Sequence, residues 1–527
     1  MLEEDQSTIL NEITNVTADE TADETLEAMT EQTAETDDAE SVADAMNTMP
    51  VPRRSGASER ALRAAIEIFT RWENDEKNVP LDRIVSGEFR TRKYLNSTER
   101  RWVAEAVYGC ARFWRRQVFV LEAQGRDASP ENVVRLWAEQ SEEKLDEDSS
   151  QNPKSKIQSL EVLPSLERTR EYLRITLSFP DEMAEALESL LEIEAITAAQ
   201  AFNMQAPTTL RVNPLRVSWA HLRKSLTEAA PTIYSPWGLE MPRRVNVFDV
   251  PGYRTGWFEV QEEASQLVSL LVDAQPGQEI AEVGAGAGGK TLALAALMEN
   301  KGEVFAIDTS KARLEELEKR AERAGVTCVQ TCWVAADYEG EWQPTVSVRR
   351  TVNKWRNRAD SVLVDAPCTG SGVLRRSPDA KWREFDLMHM TRLQSNLLAQ
   401  AATLVKPGGH LFYVSCAFER VQNEDIVEKF LATELGQQYE IVPAVPRLRA
   451  ASVRARAQAQ TPPFLRTEKA QRKLAEKQTA ETAIADAETP QPEADFEAMA
   501  SGPYLRTWPH RHGLDAFFAA CLRRKPV

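Results

Sequence analysis

From Gly277 onward the chain alternates short apolar runs of strand character with stretches of helical period, and the first junction is filled almost entirely by glycine and alanine: EVGAGAGGKT, Glu282 to Thr291. EIAEV, EVFAID, TCVQTCWV, SVLVDAP and HLFYVSC are the strand-like runs, and GLDAFFAACL is expected as the last strand. This order predicts an α/β fold built on an open sheet of parallel strands, with ligands at the carboxyl ends of the strands. What the glycine loop holds therefore bears directly on function.

Read literally, Gly284-x-x-x-x-Gly289-Lys290-Thr291 is a phosphate loop. The run Val362-Leu363-Val364-Asp365 adds the apolar strand ending in aspartate that such enzymes use for magnesium. Against an ATPase stands Asp308 at the end of EVFAID, where an acid grips ribose hydroxyls and a phosphate-loop enzyme needs none. Asp337, after the next strand region, is positioned to meet an adenine edge. S-adenosylmethionine has a ribose and an adenine but no phosphate, so it fits loop and acids together; NAD remains open.

Two thiols narrow the chemistry. Cys368 follows Asp365-Ala366-Pro367 just beyond one strand, and Cys416 ends LFYVSC beyond another. Each alone reads more readily as a buried small hydrophobe. As a pair on the loop's side of the sheet, beside Asp365, they suggest nucleophilic catalysis by a thiolate. Cytosine C5 is too electron-poor to attack a methyl sulfonium, but a thiolate added at C6 makes C5 enamine-like. One cysteine suffices for attack and a second can assist release. The adjoining GSGVLRRSPDAKW offers Arg375, Arg376 and Lys381 as contacts to RNA phosphates around a base taken out of its stack.

The formal net charge of −17 looks hostile to nucleic acid, yet the first 50 residues hold 15 Asp or Glu and no Lys or Arg. Residues 1–52 are expected to be a disordered acidic tail, and the remainder is nearly neutral. With no leader-like start and no apolar run of membrane-spanning length, a cytoplasmic protein without membrane partners is expected. Six scattered cysteines suggest neither disulfides nor a metal site.

Residues 53–200 read as helical: Leu62, Ala65, Ile66 and Phe69, then Val103, Val107, Cys110 and Trp114, keep a helical period, with Asn96 and Glu99 as a capping box. Arg100, Arg101, Arg112, Arg115 and Arg116 form an outer face that is either solvated or turned to RNA. A polar insertion is expected near 126–165, a small α+β module over 201–260, and the sheet domain over 261–527 with a low-complexity insertion near 446–500.

Four segments, DAPCTGSGVLRRSPDAKW, KPGGHLFYVSCAFERVQNEDIV, GWFEVQEEASQLV leading into GAGAGGKT, and PHRHGLDAFFAACL, together resemble the RsmB-like (Sun-type) RNA cytosine-5 methyltransferases. Residues 55 to 125 are similar to the family's NusB-like domain, which favours its ribosomal RNA branch, and TTLRVNPL is similar to the start of its RNA-binding module. The resemblance implies a Rossmann-like, S-adenosylmethionine-dependent domain that methylates C5 of a cytosine in RNA, with 16S (small-subunit) rRNA as the favoured target, acting as a monomer. It implies Cys416 as nucleophile and Cys368 in product release, with Asp365 and Lys290 near the reacting base. Gly284, Ala285, Gly286, Ala287, Gly288, Gly289, Lys290, Asp308, Asp337 and Asp365 would contact the cofactor. The chain departs from the family where DxCAAPGGKT becomes EVGAGAGGKT, losing a cysteine and a proline, and where TCS becomes Ser415-Cys416-Ala417. Three rival readings are a DNA or tRNA cytosine methyltransferase, a phosphate-loop ATPase and a non-catalytic RNA-binding assembly factor.

Overall fold

The structure is a computed structural model that describes residues 58–75, 77–143, 166–242, 245–343, 345–461, 463 and 494–526. The acidic tail, most of the polar insertion and most of the low-complexity segment lie outside these residues. The described residues form one compact unit.

Five helices come first: α1 (Glu59–Asp75), α2 (Leu81–Thr91), α3 (Ser97–Arg112), α4 (Trp114–Ala123) and α5 (Pro130–Glu143). The capping box starts α3 as expected: Glu99 N donates to Asn96 Oδ1 at 2.9 Å, and Asn96 N to Glu99 Oε2 at 3.0 Å. Ala65, Phe69, Trp72, Val103, Val107 and Cys110 close the core. The expected polar insertion begins too early, because α5 buries Val133, Val134 and Leu136 against this core before the chain turns acidic. A second group, α6 (Asp181–Leu191) and α7 (Ala195–Asn203), shares its core with Leu374, Ala380, Phe418 and Trp508 of the sheet domain.

In the α+β module, β1 (Thr208–Val212) pairs antiparallel with β3 (Gly238–Met241) and β4 (Phe258–Val260), and the two-residue β2 (Ala230–Pro231) lies outside β3.

The main sheet contains β5 (Glu279–Val283), β6 (Glu303–Asp308), β7 (Val329–Trp333), β8 (Ala359–Asp365), β9 (Val405–Ser415), β10 (Tyr439–Val442), β11 (Ala500–Ser501), β12 (Tyr504–Arg506) and β13 (Phe518–Arg524). Among the described residues its order is β11-β12-β13-β9-β8-β5-β6-β7, with β10 also paired to β13. β7, β6, β5, β8 and β9 are parallel and β13 is antiparallel to β9. The helices between are α8 (Glu263–Val272), α9 (Gly289–Leu297), α10 (Lys311–Ala324), α11 (Val346–Trp355), α12 (Leu387–Ala402), α13 (Glu424–Ala432) and α14 (Ala444–Gln460). Alternation along β5 sends Ile280 into one helical layer and Ala281 and Val283 into the other. Strand order reverses at β5, so the crevice of an open α/β sheet falls between the carboxyl ends of β5 and β8.

The segment from 446 to 460 is not loose. It belongs to α14, whose Leu448, Ala455 and Ala459 are buried, and Arg447 donates to Leu271 O at 2.9 Å and Val272 O at 2.8 Å, carbonyls at the end of α8. Among the described residues no helix is long and apolar enough to cross a membrane, and no group of His, Cys, Asp or Glu is arranged to hold a metal.

Candidate active site

The glycine loop leaves β5 with Gly284, Gly286 and Gly288 at φ of 81°, 55° and 85°, left-handed backbone that only glycine adopts at little cost. A Cβ on Gly284 would meet Asp365 O at 2.3 Å, so this glycine lets the loop touch the end of β8. Asp308 ties the loop down: its Oδ2 accepts from Gly286 N and its Oδ1 from Ser310 N, both at 2.7 Å. Two arginines strap it from outside. Arg320 of α10 donates to Ala287 O at 2.7 Å, and Arg211 of β1 donates to Gly289 O at 2.6 Å. Glu259 of β4 is buried and takes both Arg320 and Arg323. No local pattern announces these straps, which reach the loop from more than 30 residues away in the chain.

Below the loop lies Glu282, 1% exposed. Its Oε2 accepts from Thr291 Oγ1 at 2.6 Å, and its Oε1 has no partner. Burial pushes its carboxyl up to about 8, with the Thr291 bond opposing. Lys290 turns to Asp365, Nζ to Oδ2 at 2.7 Å. Burial works against its ammonium, but the charge of Asp365 and the bond to it hold the pKa above the usual lysine value. These contacts count against the phosphate loop. The threonine that would face magnesium is fully buried on Glu282, and the lysine that would face phosphate is paired with a carboxylate.

Cys368 and Cys416 meet at the ends of β8 and β9, Sγ to Sγ 3.3 Å. The turn after Cys368 is stitched across the sheet: Gly372 N donates to Cys416 O at 2.8 Å and Ala516 N to Gly372 O at 2.9 Å, with no room for a Cβ at Gly372. Gln394 Nε2 holds Pro367 O at 2.8 Å, Thr369 N donates to Gln422 Oε1 at 3.1 Å, and Ser371 Oγ donates to Glu419 Oε2 at 2.7 Å. The thiols behave as a unit. The hydrogen bond from Cys416, opposed by burial and helped by the backbone N–H groups of Gly370 and Cys416, holds Cys368 below the ordinary thiol range. The same bond, then burial, raises Cys416 well above it.

Other candidates lie elsewhere. Asp337 is exposed and closes its own turn, Oδ1 accepting from Glu339 N at 3.0 Å and Glu341 N at 2.9 Å, and Oδ2 from Gln343 Nε2 at 3.0 Å. Lys381 cannot reach a solvent-borne phosphate: it is 3% exposed, and its Nζ donates to Asn203 Oδ1 at 2.7 Å and to the carbonyls of Arg112 and Ser178 at 3.1 Å. Burial, with the Arg112 charge adding, pushes its pKa well down. Arg375 is 8% exposed and donates to Gly513 O at 2.5 Å; Arg376 binds Asp515 Oδ2 at 2.7 Å and Pro207 O at 2.9 Å. The arginine face of α3 and α4 also turns inward in part. Arg112 donates to the carbonyls of Asn203 and Met204 at 3.1 Å, and Arg115 pairs with Asp181 at 2.6 Å.

The crevice fits a nucleoside with a charged amino-acid arm. The unpartnered, buried Glu282 Oε1 suits an ammonium, Asp308 ends β6 against the loop, and a Cβ on Gly286 would find nothing nearer than 3.8 Å, so the loop surface is open.

Residues 269–447 match the family model described as 16S rRNA methyltransferase RsmB/F. The probable ribosomal RNA small subunit methyltransferase B of Synechocystis is 33% identical over 264 residues, covering 48% of this chain and 56% of that protein. The ribosomal RNA small subunit methyltransferase B of Pseudomonas syringae is 33% identical over 250 residues, covering 46% and 52%. The chain thus spans about half the length of the curated relatives it matches. The crystal structure of PH0851 aligns with a TM-score of 0.62 at 22% identity, covering 89% of this chain and 100% of that one, a likeness of fold.

Proposed function

We propose that the chain, whose residues 269–447 match the 16S rRNA methyltransferase RsmB/F model, is a member of the RsmB-like (Sun-type) methyltransferase family: a cytoplasmic, monomeric enzyme that uses S-adenosylmethionine to methylate C5 of a cytosine in RNA, with small-subunit (16S) rRNA as target. The observation that carries this reading is the pair of thiols 3.3 Å apart beside the Lys290–Asp365 ion pair. Small-subunit rRNA is favoured because it appears in the names of both curated relatives.

Gly284 to Lys290, with Glu282, Asp308 and Asp365, would hold the cofactor, which would supply an electrophilic methyl group. The Cys416 thiolate adds to C6 of a flipped cytosine, forming a C–S bond and pushing electron density onto C5. The proton Cys416 gives up passes to Cys368 and on to solvent, which restores the Cys368 thiolate. Lys290 and Asp365 bind the ring edge and balance the charge that develops on it. Once C5 carries its methyl group, Cys368 takes the C5 proton. The C5=C6 double bond re-forms and the C6–S bond breaks, freeing Cys416. A target in a loop or single strand is expected, since duplex RNA hides its base edges.

A denaturing gel tests this directly. Cys368→Ala protein, in which solvent takes the Cys416 proton directly, accumulates a protein–RNA adduct when mixed with S-adenosylmethionine and small-subunit rRNA, and the Cys368→Ala/Cys416→Ala protein does not. An adduct in the double variant removes Cys416 as nucleophile. No adduct in either, with no methyl incorporation by the unmutated protein, overturns the reading.

A further inference from the structure

The cations that the sequence offered to RNA are largely spent inside the molecule: Arg112, Arg375 and Lys381 are buried and Arg376 is tied to Asp515. If RNA reaches the crevice, other groups on the catalytic edge must receive the strand. We propose that the turn after β7, the first turn of α12 and the outer face of α11 form a stacking platform for unpaired RNA beside the target base; this rests on the RNA reading above.

Tyr338 is 71% exposed, and its ring stacks on that of His389 with centroids 3.8 Å apart and planes at 16°. The turn beneath is braced by the Asp337 bonds, by Arg392 on Glu339 at 2.8 Å, and by Asn396 and Gln400 on the carbonyls of Glu339 and Gly340 at 2.9 and 3.0 Å. The aromatic face is therefore fixed in place and open on its outer side. Met388, 73% exposed, adds apolar surface beside it.

Topology sets this platform at the catalytic edge. β7, β8 and β9 are parallel, so α11 and α12, which lead into β8 and β9, both start at the end of the sheet where the thiols stand. Gln394, five residues after His389 and so about 7.5 Å of helix rise away, holds the carbonyl of Pro367 next to Cys368. On α11, Val352 and Trp355 are buried, while Arg349, Arg350 and Lys354 are exposed and pair with no carboxylate among the described residues. They outnumber Asp337 and Glu341, exposed acids on the turn whose side chains have no described cationic partner. An exposed ring, with cations that have no described carboxylate partner on the helix that starts eight residues later, matches a strand that presents bases and phosphates together, and does so without regard to sequence.

The test is fluorescence anisotropy with a labelled mixed-sequence 20-nucleotide RNA, single-stranded or as a duplex, using the full chain. Tyr338→Ala should weaken single-strand binding about tenfold, with less effect on the duplex and recovery in Tyr338→Phe. Arg349→Ala/Arg350→Ala should lower the slope of log affinity against log salt by about 1.4. His389→Ala serves as the second probe of the stack should Tyr338→Ala fail to fold, and calorimetry with S-adenosylmethionine checks that the crevice is intact. Unchanged RNA affinity and salt slope in these variants, in a protein that methylates RNA, overturn the platform and leave the methylation reading standing. Loss of binding in the variants of a protein that transfers no methyl group supports the platform while the methylation reading falls.

Discussion

Arg320 reaches from α10 to the Ala287 carbonyl at 2.7 Å while Glu259 of the α+β module, 2.8 Å away, holds the other side of its guanidinium. The relationship matters because this loop lacks the proline that stiffens its counterparts, and three of its residues stand at positive φ. The two arginine straps restore order that added glycine would lose. Arg320→Met should weaken S-adenosylmethionine binding roughly tenfold to a hundredfold, the range of a charge-assisted hydrogen bond of about 1.5–3 kcal/mol, measured by calorimetry. Arg320→Lys should recover part of it, and unchanged affinity in both would show that the loop holds its shape without the strap.

Glu282 predicts a pH dependence of stability. Its carboxyl is pushed up to about 8 in the folded chain by burial, against about 4.3 unfolded. The folded state binds the extra proton between those values, so this contribution is complete below about pH 4.3 and is lost as pH rises through 8. In urea titrations without cofactor, Glu282→Gln should reduce the fall in unfolding free energy between pH 6 and 9 by up to a few kcal/mol. An identical pH profile in the variant would show that Glu282 is ionised at neutral pH.

The edge where the candidate residues gather was legible because strand ends are. Alternating apolar runs fixed where β5, β8 and β9 stop, which set the glycine loop, Asp365, Cys368 and Cys416 on one side. Which way a cation faces was not legible. Arg375, Arg376 and Lys381 look like a phosphate-binding run, yet Lys381 is held by groups near residues 112, 178 and 203, partners that no local pattern announces. Composition misled at α14, where basic and alanine-rich text looked loose. Its Ala451, Ala455 and Ala459 recur every four residues and are buried, a helical face written in small side chains.

Lys381 should therefore behave as a strut joining the catalytic segment to the helices. Lys381→Met leaves buried carbonyl oxygens without donors and should cost about 3–5 kcal/mol in unfolding free energy, as for one partner removed from a buried polar cluster. The salt dependence of RNA binding by the folded variant should be unchanged. A lower salt slope with full stability would return Lys381 to the phosphate contacts.

The thiol pair makes the last prediction. With Sγ atoms 3.3 Å apart, ionising both would set two negative charges side by side, so the two thiols do not ionise together. The hydrogen bond from Cys416 and the two backbone N–H groups favour the charge on Cys368, and the protonated partner is Cys416. In the RNA-free protein, iodoacetamide should then modify Cys368 before Cys416, and at a lower pH than an ordinary thiol, as read by peptide mass spectrometry between pH 6 and 9. Cys416→Ala removes the donor and should shift Cys368 alkylation to higher pH. If Cys416 is modified first, the resting charge lies on the thiol proposed as nucleophile, and Cys368 is not the group that receives its proton.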